Sequence, residues 1–118
     1  NNGYICGGYM ARRNDGIPSS FMVAAHKIEV VTVPVKKWKH GKNCVGMYLP
    51  NEYRIEIIGS LKGSNRQQTF VHELLHCITD IAGYHELCSD EVFIDSTAHL
   101  LAQALVTFEP STYDRPKT

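Results

Sequence analysis

The sequence predicts an α+β domain: a small sheet of about three strands packed on one long helix, with a second helix after it. Three observations predict this class. β-branched residues crowd one stretch, at Ile28, Val30, Val31, Thr32, Val33 and Val35. Apolar and polar side chains alternate along Tyr53-Arg54-Ile55-Glu56-Ile57. Val71, Leu74, Leu75, Ile78, Ile81 and Ala82 then recur at the i, i+3, i+4, i+7 spacing of a buried helix face. A chain of 118 residues forms one domain, residues 1–118.

Taken in order, residues 1–20 give no regular pattern, because Gly3, Gly7, Gly8, Gly16 and Pro18 interrupt it. They read as an arm or an extra hairpin, with Arg12 to Gly16 as an exposed turn. The first strand runs from Lys27 to Val35. A basic loop, Lys36-Lys37-Trp38-Lys39-His40-Gly41-Lys42, follows, and its Trp either packs back on the core or forms a tip for a partner. Cys44 to Leu49, the turn Pro50-Asn51-Glu52, and Tyr53 to Ile58 read as a hairpin. Ser64 and Gln67 form a capping box that opens a helix over about 65–82, stopped by Gly83. Ser89 caps the next helix, with Asp90 and Glu91 at its positive end. That helix carries Ile94, Ala98, Leu101 and Leu105 on one stripe and ends before Pro110. Residues 111–118 read as a frayed tail.

Composition narrows the function. Hydrophobic residues make up 43% and charged residues 20%, as in an ordinary globular protein. Twelve basic and twelve acidic residues balance to zero net charge, which argues against nucleic-acid binding. No apolar run reaches the length that spans a bilayer, and no signal-peptide pattern opens at Asn1. Cys6, Cys44, Cys77 and Cys88 form no C-x-x-C pair. They read as free thiols, which fits a cytoplasmic setting.

The chemistry is carried by His72-Glu73-Leu74-Leu75-His76, an H-E-x-x-H sequence inside the long helix. Residues four apart stack on one helix face, so His72 and His76 can reach one zinc ion together. Glu73 lies beside that metal, where it can take a proton from a water that the metal activates. A third ligand is needed. The extended H-E-x-x-H-x-x-G-x-x-H form is absent, since Thr79 and Ala82 occupy its last two marked positions. His85 and Glu91 remain as candidates. Asp95 favours Glu91: it sits one turn further on the same helix face, where it can accept the second ring N–H of a ligating histidine. His99 reads as a surface or packed histidine.

H-E-x-x-H followed by a helix with E-x-x-x-D resembles the gluzincin branch of zinc metallopeptidases. Between Lys27 and Phe108 the size and element order are similar to minimal gluzincins, the ImmA/IrrE-like peptidases of phages and mobile elements. The resemblance implies a zincin-like fold with one Zn(2+) per chain. It also implies a short sheet whose edge strand, one of the hairpin pair and by preference Tyr53 to Ile58, runs beside the cleft. The expected function is hydrolysis of a peptide or protein substrate, with Glu73 as general base. Tyr84 or His85 would contact the oxyanion or substrate. The rival readings are a zinc-containing binding module without activity, such as a phage accessory or inhibitor protein, and a zinc hydrolase acting on a non-peptide bond.

Overall fold

In the computed structural model, residues 16–109 are described. The arm's first fifteen residues, Cys6 among them, and the tail beyond Glu109 lie outside these.

The described residues are α+β, with four strands rather than three: β1 (Ser20–Val23), β2 (His26–Val33), β3 (Gly46–Leu49) and β4 (Arg54–Ile58). Three helices follow: α1 (Gly63–Ile81), the short α2 (His85–Cys88) and α3 (Glu91–Val106). β1 is the additional strand. It folds back on β2 in an antiparallel hairpin, with Val23 opposite His26. The two-residue turn between them puts Ala24 in the left-handed region, at φ 54°. Glycine, asparagine or aspartate usually marks such a turn. With alanine there, nothing in the sequence announces the hairpin.

The sheet order is β1-β2-β4-β3. β2 and β4 pair in parallel, Val30 opposite Ile55, while β3 and β4 form the expected antiparallel hairpin, Tyr48 opposite Ile55. β4 is therefore interior, and the edge beside the helices is β3, not the Tyr53–Ile58 strand. Tyr53 itself leaves the strand. It sits at φ 48° and stacks on His26 at 4.4 Å.

Ile28, Ile55 and Ile57 project from the sheet and are completely buried, as are Val71 and Cys77 on α1 and Ala98 on α3. The outward half of the expected α1 face is different: Ile78 is exposed and Ala82 lies past the helix end. On β4 the alternation holds in part. Glu56 points away from the isoleucines yet is also buried, because His40 Nε2 approaches its Oε1 at 2.7 Å and Arg54 Nη1 donates to Oε2 at 3.1 Å. The basic loop folds back on that side, and Trp38 Nε1 donates to the Cys44 carbonyl at 2.9 Å.

Both expected helix caps are displaced. α1 begins at Gly63, so Ser64 is already inside it, the residue at its N-cap, Lys62, makes no side-chain capping hydrogen bond, and Gln67 is buried. α3 is capped by Asp90, which accepts the Phe93 N–H at 3.0 Å. The Ser89 hydroxyl instead donates back to the His85 carbonyl at 2.8 Å, ending α2.

Candidate metal centre

The packing of α3 across α1 decides the site. His72 and His76 lie one turn apart on α1, their rings 5.0 Å apart between centroids. Glu91 opens α3, and its carboxylate spans the two rings: Oε1 is 3.3 Å from His72 Nε2 and Oε2 is 3.2 Å from His76 Nε2. One donor atom from each residue lies within 4.8 Å of the others. Four donors around zinc at about 2.1 Å stand roughly 3.4 Å apart. Two imidazoles and a carboxylate grouped this way could hold a metal ion.

Asp95 comes in behind. Its Oδ1 is 3.4 Å from His72 Nδ1, the nitrogen that faces away from Glu91. Glu91 and Asp95 therefore address opposite sides of one ring.

A cleft of about 820 Å³ opens on this cluster. β3 forms one wall with Gly46, Met47 and Tyr48, and α1 the other with His72, Glu73 and His76. The walls touch at Gly46. A Cβ there would lie 2.6 Å from Thr69 Cγ2 and 3.2 Å from Glu73 Cγ, so only glycine lets the strand come this close.

Glu73 is buried, and the Tyr48 backbone N–H donates to its carboxylate. Burial pushes the Glu73 carboxyl above its usual range. The two histidines and the Tyr48 N–H pull it down without offsetting the burial. A carboxylate raised toward neutrality is a better proton acceptor.

Tyr84 and His85 are not part of the cleft lining. Tyr84 is 63% exposed. His85 Nδ1 stands 3.6 Å from Asp80 Oδ1, and its side chain is largely exposed. His99 meets Gln68 at 3.3 Å. Among the described residues the cysteines are free thiols. Burial pushes Cys77 up to about 11 and also raises Cys44.

Sequence patterns did not reveal several cleft residues. Tyr48 donates its hydroxyl to Asp80 Oδ2 at 2.8 Å, tying β3 to α1 one turn beyond His76. The signal available was weak: Asp80 continues the spacing of His72 and His76. Cys88 also lines the cleft and contacts His76. Nothing in the sequence places it there, since α2 is a turn with no pattern of its own.

No family model matches this chain, and neither does any curated protein or solved structure.

Proposed function

We propose that the protein is a zinc-dependent metallopeptidase of the zincin-like type. The observation that carries this reading is the convergence of His72, His76 and Glu91 beside a buried Glu73 in an open cleft. A zinc ion held there would supply Lewis acidity to a carbonyl oxygen and lower the pKa of a water. Glu73 would take the proton from that water and deliver it to the departing amine. Asp95 would keep His72 oriented, with Nε2 free for the metal. β3 is the edge of the sheet that lines the cleft, and an extended peptide would align along it. The buried Glu73 favours an enzyme over a zinc-containing binding module, because holding the metal does not require that carboxylate.

Two measurements test the reading. Metal analysis of the purified protein should find one zinc per chain, lost on Glu91→Ala and kept on His85→Ala. Incubation with a diverse peptide library should show zinc-dependent cleavage that Glu73→Gln abolishes. A protein that takes up zinc but cleaves nothing would leave the binding-module reading in its place.

A further inference from the structure

His72 and His76 both turn Nε2 toward Glu91, so each ring must be held from behind at Nδ1. For His72 the holder is the Asp95 carboxylate at 3.4 Å. For His76 it is a sulfur: Cys88 Sγ lies 3.7 Å from His76 Nδ1. The same sulfur lies 3.4 Å from the backbone carbonyl oxygen of His76, placed to donate to it. A thiol has one hydrogen, and a carbonyl oxygen can only accept. A Cys88 thiol that gives its hydrogen to that carbonyl leaves a sulfur lone pair to face Nδ1. In that arrangement the contact with Nδ1 takes its hydrogen from the ring, with Nδ1–H donating to the sulfur. A neutral imidazole with its hydrogen on Nδ1 carries its free lone pair on Nε2, the nitrogen aimed at Glu91.

We propose that Cys88 is a positioning residue for the metal centre, holding His76 in the tautomer and ring orientation that make Nε2 a ligand. The sulfur sits on the Nδ1 side of the ring, away from the carboxylate, so it acts through His76 and not on the metal. This also gives α2 a purpose. The Cys88 N–H donates to the Tyr84 carbonyl at 2.9 Å, closing the four-residue helix that carries the sulfur to the ring. The two imidazoles are thus held by unlike partners, a carboxylate on α3 and a thiol on α2. The proposal rests on the zinc-site reading above.

The experiment is zinc competition against a chromophoric chelator on the full chain. Cys88→Val keeps the bulk and removes the acceptor. Cys88→Asn restores a neutral acceptor within reach of Nδ1. Zinc affinity should fall roughly tenfold in Cys88→Val and recover most of that loss in Cys88→Asn, the size typical of removing the partner behind a ligating histidine. If Val disturbs folding, Cys88→Ser serves, since its shorter Cβ–O bond leaves Nδ1 out of range. Affinity that is unchanged in Cys88→Val, or lost equally in Cys88→Val and Cys88→Asn, overturns the proposal while leaving the zinc site standing. So does a sulfur-to-metal charge-transfer band in the cobalt-loaded wild type that disappears in Cys88→Asn, for it would make Cys88 a ligand. A wild type that binds neither metal overturns the zinc-site reading, and the role of Cys88 with it.

Discussion

Glu73 and Asp95 show most directly what single side chains contribute. Glu73→Gln keeps the size and the Tyr48 contact of the carboxylate but cannot accept a proton. It should retain the fold and bound zinc while losing peptide hydrolysis, checked by metal content and cleavage assay on the same preparation. Asp95→Ala removes the acceptor behind His72, and zinc affinity should drop roughly ten- to a hundredfold with little change in metal-free stability. Equal chelator competition in the two proteins would make Asp95 a surface charge. The four residues His72, His76, Glu91 and Asp95 could be read from the sequence because helical spacing alone puts each pair on one face. Gly46, Tyr48 and Cys88 could not, because their positions depend on how β3 and α2 pack against α1. Gly46 is exacting. A methyl group there meets Thr69 Cγ2 on the far wall at 2.6 Å, so Gly46→Ala should cost about 1–3 kcal/mol of stability, read by urea unfolding.

At the scale of elements, helices were easier to find than their ends. α1 and α3 follow from apolar periodicity, but each begins at a residue other than the expected one. Ser89 was the natural cap by type, yet it already serves the end of α2, a turn too short to have a pattern. Asp90 takes the role. Asp90→Ala should therefore destabilise the protein by about 1 kcal/mol, and Ser89→Ala should cost less. Thermal unfolding of the pair ranks them. The strands show the same division. The β3–β4 hairpin could be read from alternation and turn chemistry, whereas the identity of the edge strand could not. Whether β3 or β4 lies outside depends on which of them β2 joins, and that pairing is not local in sequence.

For the molecule as a whole, the face of the sheet away from the helices carries its own buried charge. Burial opposes ionisation of Glu56, but hydrogen bonds from His40 and Arg54 prevail, so its carboxyl lies below the ordinary 4.5. A carboxyl lowered on folding contributes stability that is fully present above 4.5 and is lost as pH falls through the folded value. Glu56→Gln should weaken the protein at pH 7 and flatten the acid side of its stability curve, measured by urea unfolding between pH 7 and 3. A curve parallel to wild type would mean that Glu56 ionises alike in the folded and unfolded chain. The parallel pairing of β2 with β4 has a consequence for how the chain reaches this structure. β1 with β2 and β3 with β4 are neighbours in sequence, only the short α2 separates α1 from α3, and each pair can assemble by closing short loops. Within the sheet, among the described residues, only the β2–β4 seam skips a strand, with all of β3 and its flanking loops set aside before the two strands meet. Such a contact is entropically costly to make early. Truncating Val30 in that seam should therefore act mainly on the unfolding rate, whereas truncating Tyr48 in the β3–β4 hairpin should slow refolding, and the two arms of a chevron plot would separate them.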